Sequence, residues 1–225
     1  MNHQIYSPTV TDYIEAINLM PEIWDLPLAD PSTIPTYLLC KNASLTSKVV
    51  LSADGGDEAF FGYNKHRVYK LSNLLENNPF NVKKLLKLLP RNNSPTSMPL
   101  RIINKIINIS YMDDEIERFS YLSESFDETL LENVLSSDVR SHYNSYNTNQ
   151  RSKLAHNDLI DFSTYDVHNF LTDDVLYKID HAAMYNSIEN REPMLDYRII
   201  AFSYALPITE KLGLFKSKKI LRDLF

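Results

Sequence analysis

Glycine is scarce in this chain. The sequence has four glycines among 225 residues, whereas average usage predicts about 16. Three of the four, Gly55, Gly56 and Gly62, nevertheless lie close together between residues 49 and 63. A chain that uses glycine so sparingly and still concentrates it here has a specific backbone task at this place, since glycine alone adopts tight turns freely and lets a ligand approach the backbone closely.

Other scarcities exclude whole classes of protein. The single cysteine, Cys40, excludes an internal disulfide and fits a reducing compartment. No apolar run approaches the roughly 18 residues that span a bilayer, and the first ten residues lack the basic flank and apolar centre of a signal peptide. The net charge of -6 argues against a general nucleic-acid binder. We therefore expect a soluble, cytoplasmic protein with neither membrane nor nucleic acid as a partner.

The composition is otherwise that of an ordinary globular protein, with 44% apolar and 23% charged residues. Its length suits one domain or two small ones. Apolar spacing predicts an α/β fold that is mostly helical. Thr11 is predicted to cap a first helix that stops at Pro21. Further helices are predicted over residues 34–46, 63–75, 80–89, 100–108, 113–122, 127–135 and 154–171, and a boundary or mobile loop over 91–99.

The glycine-rich segment predicts a strand, a turn and a helix in succession. Residues 49–51 are apolar and indicate a short buried strand, and Asp57 opens the helix. A helix start behind a glycine turn presents N–H groups to an anion. Asp54, Asp57 and Glu58 would repel a bare phosphate, but a hard cation such as Mg²⁺ between the groups removes that conflict. The alternative is an ordinary turn with acidic capping residues.

This strand has no evident partner in the sequence. A parallel sheet needs several strands joined by crossover connections. Either the strand pairs with residues outside this chain, or further strands escape recognition by their pattern.

A second group of chemically active residues lies between positions 171 and 196. Thr172 is predicted to cap a helix whose polar side carries Lys178, Asp180 and His181 toward a cleft. Beyond it, Pro193 ends any helical geometry, so Glu189 and Arg191 are predicted to lie in a loop. An arginine held by a glutamate can clamp a phosphate or carboxylate, although a surface ion pair of little energetic value is the simpler interpretation. His181 has no second histidine or cysteine at metal spacing, which disfavours zinc.

Together the two regions resemble the glutamine-hydrolysing asparagine synthetase family. The segment Ser-Ala-Asp-Gly-Gly-Asp-Glu-Ala-Phe-Phe-Gly-Tyr, residues 52–63, resembles the family signature S-G-[DE]-G-[GS]-D-E-x-F-x-G-Y. Residues 174–184 resemble its D-x-L-x-K-x-D-R-x-x-M helix, and residues 186–196 resemble N-S-L-E-x-R-x-P-F-L-D. Residues 26–37 resemble the loop and helix before the signature, and 218–222 its K-x-x-L-R element. Nothing matches over residues 78–153.

The resemblance implies an adenine-nucleotide alpha-hydrolase-like (ATP pyrophosphatase) synthetase domain, present without most of its parallel sheet. In this family ATP and Mg²⁺ activate the side-chain carboxylate of aspartate as an acyl-adenylate, and ammonia from glutamine then displaces AMP. The residues implied as catalytic are Asp54, Glu58, Asp180 and Arg191. Those implied to hold the nucleotide or pyrophosphate are Ser52, Ala53, Gly55, Gly56 and Lys219, and Asp57 is the implied Mg²⁺ ligand.

The chain also departs from the family pattern. It has no S-G-G-x-D-S pyrophosphate loop, no cysteine at position two, Ala53 in place of glycine and His181 in place of arginine. It therefore resembles a central part of a longer synthetase, and we expect it to need a chain or domain that supplies the pyrophosphate loop and the glutaminase. Two alternatives are a related amidotransferase that acts on a sugar acid of surface polysaccharides and a non-catalytic remnant that serves as an interaction module.

Overall fold

Helices make up most of the computed structural model, which describes residues 3–26, 28, 30–76, 88, 98–123, 128–152, 159–213 and 216–224. The helices are α1 (Val10–Ile23), α2 (Thr33–Ser44), α3 (Gly56–Ala59), α4 (Asn64–Glu76), α5 (Met98–Ser110), α6 (Glu115–Ser123), α7 (Glu128–Val134), α8 (Ser137–Ser152), α9 (Leu159–Asp166), α10 (Tyr177–Tyr185), α11 (Tyr197–Ala205), α12 (Ile208–Lys211) and α13 (Lys219–Asp223). A π-helix covers Val167–Leu176, a 3₁₀ helix covers Pro193–Leu195, and the strands are β1 (Val49–Leu51) and β2 (Glu189–Arg191). The prediction of a mostly helical α/β protein is confirmed.

The chain divides into two units. The first comprises Met1–Ala59 and Tyr165–Ala205, and the second comprises Phe60–Thr164 and Leu206–Phe225. The glycine turn and both strands belong to the first unit.

The partner of β1 is β2, which runs parallel to it with Val49 opposite Glu189 and Leu51 opposite Arg191. Of the two alternatives for the partner of β1, the second is confirmed, because a further strand of this chain had escaped recognition. The prediction that Glu189 and Arg191 lie in a loop was wrong, since both lie on this strand. Sequence reasoning missed β2 because Glu-Asn-Arg has no apolar or β-branched residue. The expectation that β1 is buried was also wrong, since Val49 is 44% and Leu51 71% exposed, while Val50 packs on the core.

Helices α1, α2 and α10 enclose the core of the first unit. Small residues at Ala182 and Ala183 let α10 lie close to α2, and Ile188 extends the core toward the sheet. The buried members are Ala16, Ile23, Trp24, Tyr37, Leu38, Cys40, Ala182, Ala183 and Ile188. This core fixes one face of the two strands.

A buried ion pair ties the proline-rich loop after α1 to α10. Lys178 forms a salt bridge with Asp30 and donates to Ser32 Oγ at 2.7 Å, and the indole of Trp24 donates to the carbonyl oxygen of Lys178 at 3.3 Å. Lys178 is 7% exposed, so its predicted place on a polar side facing a cleft was wrong. The buried ammonium group is tolerated because Asp30 neutralises its charge and Ser32 accepts a hydrogen bond from it.

The first helix differs at both ends from its prediction. Thr9, rather than Thr11, is the N-cap, because its hydroxyl accepts from the backbone of Asp12 while the Asp12 carboxylate accepts from the backbone of Thr9. The helix also continues past Pro21 to Ile23, and the backbone N–H of Trp24 still reaches Met20. Burial of Ile23 and Trp24 holds this last turn in place.

Thr172 does not begin a helix. Helical structure is continuous from residue 159 to residue 185 through the π-helix, and the Thr172 hydroxyl donates to the carbonyl oxygen of His168, one turn back, at 2.7 Å. The same residue type serves as an N-cap or bonds backward within a helix, and the surrounding chain decides which.

The remaining predicted helices mostly lie where expected, as α2, α4, α5, α6 and α7. The helix predicted over 80–89 falls outside the described residues except for Leu88. Residues 91–97 of the predicted loop and residues 154–158 of the helix predicted over 154–171 also fall outside them. Pro99 lies in the first turn of α5 rather than in a loop. Helices α8, α11, α12 and α13 were not predicted.

The second unit has its own core. Helix α4 packs against α5 and α6, and Tyr69 lies 4.8 Å from Phe162 between ring centroids. The ammonium of Lys211 lies 4.7 Å from the ring centroid of Phe61. In neither unit does a described helix have the length and apolar character needed to cross a membrane.

Gly55 adopts a left-handed conformation, with φ +83°, and a Cβ added to it would lie 2.0 Å from Leu195 Cδ2. We expect Gly55→Ala to lower the free energy of unfolding by at least about 2 kcal/mol, because it adds backbone strain to overpacking. Urea denaturation followed by circular dichroism measures the change. In a Leu195→Ala background the same substitution should cost less, and an undiminished cost there would contradict the predicted clash.

Asp30 and Asp174 are expected to change the free energy of unfolding in opposite directions, or unequally, when each is replaced by asparagine. Burial alone would raise the pKa of Asp30, but hydrogen bonds from Lys178 and Ser32 outweigh it and hold the pKa below its ordinary 3.8. The stabilisation is therefore present above pH 3.8 and is lost as the pH falls through the folded-state pKa. Asp30→Asn should lower the free energy of unfolding at pH 7 by about 3 kcal/mol, since it leaves the Lys178 charge buried without its anion.

Asp174 is the matched control. Burial, and then the charge of Asp30, raise its pKa, so its ionised form opposes folding at neutral pH. Asp174→Asn should leave stability at pH 7 unchanged or increase it. Equal losses in the two variants, measured by urea denaturation, would contradict the assignment of Asp30 as the partner of Lys178.

Candidate functional site

The predicted site residues of the first unit, apart from Asp180, lie around the carboxyl ends of β1 and β2. Ser52 follows β1 directly, and its backbone N–H donates to the carbonyl oxygen of Arg191 at 3.0 Å. Glu192 follows β2 directly. The loops after parallel strands lie at the same edge of a sheet, where ligands of α/β proteins commonly bind.

The glycine turn has the predicted geometry of strand, turn and helix. The backbone N–H of Gly56 donates to Ala53 at 3.3 Å, and that of Ala59 donates to Gly55 at 3.0 Å. Asp57 and Glu58 lie in the first turn of α3, where carboxylates are favoured by the helix dipole. Asp57 is half-buried and Glu58 is 1% exposed, and both make interactions within the protein. Asp57 is thus the more accessible of the two.

Asp54 lies near the core as well as near the turn. Burial, and then the negative charge of Asp54, raise the pKa of the Cys40 thiol to about 11. The thiol is therefore protonated at neutral pH and is a poor nucleophile.

Arg191 and Glu189 form the predicted ion pair, at 2.7 Å, on the exposed face of β2. The hydrogen bond and the charge of Glu189 raise the pKa of Arg191. Both side chains are more than half exposed, so the pair contributes little stability. Arg191 is accordingly available to a ligand at this edge of the sheet.

Asn190 was missed by sequence reasoning. Its side-chain amide nitrogen donates to Ser52 Oγ at 3.3 Å and to the carboxylate of Glu192, so it joins the two loops that follow the strands. The sequence held no local signal for it, because Glu-Asn-Arg is polar throughout and the inward position of Asn190 follows from its pairing with Val50.

Two other predicted residues have different surroundings. Asp180 is exposed on α10. His181 Nδ1 lies 2.9 Å from the carbonyl oxygen of Tyr177, and the rings of these residues are 4.2 Å apart. This local bond favours the interpretation of His181 as a residue that secures its own helix rather than a general base.

Lys219 belongs to the second unit. Its ammonium lies 2.7 Å from Glu210 and 3.5 Å from Asp223, and the hydrogen bond to Glu210 raises its pKa. Its role toward pyrophosphate stays a prediction.

A metal ion near the glycine turn would have few protein ligands among the described residues. Among the described residues, no group of three or more histidine, cysteine, aspartate or glutamate side chains is placed to hold a metal. Mg²⁺ in nucleotide sites commonly takes one or two carboxylates and fills its remaining positions with phosphate oxygens and water. Asp57, half-buried at the start of α3, fits the role of such a single ligand.

Comparisons with known proteins identify the family of the chain. The family model described as asparagine synthase matches residues 1–225. Asparagine synthetase [glutamine-hydrolyzing] 1 of Bacillus subtilis is 30% identical over 208 residues, which cover 88% of this chain and 31% of the relative. A putative asparagine synthetase [glutamine-hydrolyzing] of Mycobacterium bovis is 30% identical over 224 residues, which cover 92% of this chain and 32% of the relative.

A shorter match reaches higher identity. Putative asparagine synthetase [glutamine-hydrolyzing] 2 of Methanocaldococcus jannaschii is 42% identical over 64 residues, or 28% of this chain and 12% of the relative. The chain spans about a third of the length of the first two relatives. No solved structure matches. Because the family model extends over residues 1–225 and the relatives are similar to this chain over 88% and 92% of its length, the chain belongs to the asparagine synthase family.

Proposed function

We propose that this chain carries the nucleotide-activating part of an ATP-dependent amidotransferase of the asparagine synthetase type. The observation that carries the proposal is the strand, glycine turn and acidic helix start at the carboxyl edge of a parallel strand pair. Ser52 and Ala53 would lie against the nucleotide, with Gly55 and Gly56 shaping the turn. Family membership supports the general role of synthetase and ligase.

The proposed reaction has two steps. A side-chain carboxylate oxygen of aspartate attacks the α-phosphorus of ATP, and the bond to pyrophosphate breaks. Ammonia derived from glutamine then attacks the acyl carbon, AMP leaves, and asparagine forms after loss of a proton. Asp54, Glu58, Asp180 and Arg191 are the residues proposed to border this chemistry, and Arg191 supplies a positive charge for a carboxylate or phosphate.

Asp57 is proposed to hold Mg²⁺ together with the phosphates of ATP. When bound, the ion neutralises charge on the phosphates and on the leaving pyrophosphate. Without such a cation, the carboxylates of Asp54 and Asp57 would repel the phosphates. The glutaminase and the pyrophosphate loop are proposed to come from residues outside these 225, and Lys219 is proposed to face the pyrophosphate.

We expect the purified chain to bind ATP at least tenfold more tightly with Mg²⁺ than with EDTA, as measured by isothermal titration calorimetry. Asp57→Asn should abolish this magnesium-dependent gain, because it removes the anionic ligand. Asp173→Asn, an equal charge change at an exposed position of the π-helix, is the control and should retain the gain. A full magnesium-dependent gain in Asp57→Asn would contradict the assigned ligand.

The same preparation should release no pyrophosphate when it is supplied with ATP, Mg²⁺, aspartate and ammonium ions. We expect this because these 225 residues include the segments proposed to bind the nucleotide but contain no S-G-G-x-D-S pyrophosphate loop to position the leaving group. A coupled phosphate assay after pyrophosphatase treatment measures release. Aspartate-dependent release by the isolated chain would contradict the proposed need for outside residues.

A further inference from the structure

The amide group of Asn190 contacts both of the loops that follow the strands. Asn190 pairs in register with Val50, which packs on the core, so the two side chains share the inner face of the sheet. Its Nδ2 atom donates to Ser52 Oγ at 3.3 Å and to Glu192 Oε1. Ser52 is the first residue after β1, and Glu192 is the first residue after β2. One side chain therefore joins the two strand ends beside the glycine turn.

The carboxylate of Glu192 fixes the polarity of this contact. An ionised carboxylate only accepts hydrogen bonds, so the nitrogen rather than the oxygen of the amide must face Glu192. An amide nitrogen carries two hydrogens, and here one is directed to Glu192 and the other to Ser52. The Ser52 oxygen is therefore the acceptor in its bond with Asn190.

This polarity decides where the hydroxyl hydrogen of Ser52 points. A serine hydroxyl has one hydrogen and two acceptor lone pairs, and it rotates to suit its neighbours. Because Asn190 donates to the oxygen, the hydrogen of the hydroxyl must point away from Asn190. Without the amide between them, the hydroxyl would be free to donate to the carboxylate of Glu192, which is a strong acceptor. Ser52 is half-buried at the carboxyl end of β1, so Asn190 keeps it as a hydrogen-bond donor at the proposed ligand edge.

A hydroxyl donor at this place suits the phosphates of a nucleotide. Phosphate oxygens only accept hydrogen bonds at neutral pH, and the ionised carboxylates of Asp54 and Asp57 in the adjoining turn have no hydrogen to offer them. The backbone N–H groups of Gly56 and Ala59 already donate to carbonyl oxygens of the turn. The Ser52 hydroxyl is a neutral side-chain donor among these groups, and it is the one that Asn190 orients.

We propose that Asn190 is a positioning residue, which keeps the Ser52 hydroxyl directed as a donor toward a phosphate oxygen of ATP. It acts through its Nδ2 atom and does not itself contact the nucleotide. Asn190 and Glu192 occupy the two unspecified positions of N-S-L-E-x-R-x-P-F-L-D, so the family signature assigns neither of them a role. The inference rests on the proposed function, because it requires that the site bind Mg²⁺-ATP.

The test is a double-mutant cycle on the purified chain, in which isothermal titration calorimetry measures the affinity for Mg²⁺-ATP. Ser52→Ala should weaken binding about tenfold, the loss expected for one hydrogen bond to a charged group. Asn190→Val, a residue that suits an inward strand position, should weaken binding about fivefold when Ser52 is present and by less than about twofold in the Ser52→Ala background. Asn190→Leu, which approximates the shape of asparagine, is a second variant with the same expected pattern.

Val49→Thr is the control, because it is a nearly isosteric change on the exposed side of β1 and should leave the affinity unchanged in both backgrounds. A purely structural role of Asn190 would weaken binding by the same factor with and without the Ser52 hydroxyl, which would overturn the inference and leave the proposed function intact. A Ser52→Ala chain that binds Mg²⁺-ATP as tightly as wild type would do the same.

Adenosine separates the phosphates from the rest of the nucleotide. Because it has no phosphate, it should show no difference between the wild-type chain and Ser52→Ala. A loss for adenosine as large as the loss for Mg²⁺-ATP would overturn the assignment of a phosphate oxygen as the acceptor. A folded wild-type chain that does not bind Mg²⁺-ATP would instead overturn the proposed function, and the inference with it.

Discussion

The parallel pairing of β1 with β2 is the contact on which the candidate site depends. Each strand is only three residues long, yet the pairing joins segments that lie far apart in the sequence; Ser52 and Asn190 are separated by 138 positions. It places the glycine turn next to the segment 192–195, where Leu195 fills the space beside Gly55. Without this pairing, the glycine turn and the segment after β2 would not be neighbours.

Such a short sheet is held in place by its surroundings rather than by its own hydrogen bonds. One face lies on the core formed by α1, α2 and α10, while Val49 and Leu51 on β1 remain exposed. The ion pair between Lys178 and Asp30 holds the loop after α1 against α10, which forms one side of that core. A buried pair of this kind contributes little net stability, but removing one partner is costly. It therefore favours one arrangement of the elements.

Charge is distributed unevenly around the strand ends. The glycine turn offers Asp54 and Asp57, and the loop after β2 offers Glu192, whereas Arg191 lies on the exposed face with Glu189. Carboxylates near a nucleotide are compatible with binding only where a cation or a hydroxyl donor stands between them and the phosphates. The proposed place of the phosphates and Mg²⁺ beside Asp57 follows from this constraint.

The sequence by itself determined the family, the helical character, the strand at residues 49–51 and the turn at Gly55, because these depend on local spacing and on residue types with narrow conformational preferences. It left β2 unseen, since a polar Glu-Asn-Arg segment becomes a strand only when β1 lies beside it. It also misjudged Lys178, Thr172 and Pro21, whose roles are decided by partners elsewhere in the chain. Tertiary structure alone placed Asn190 between Ser52 and Glu192, because hydrogen bonds between distant residues leave no periodic pattern in a sequence.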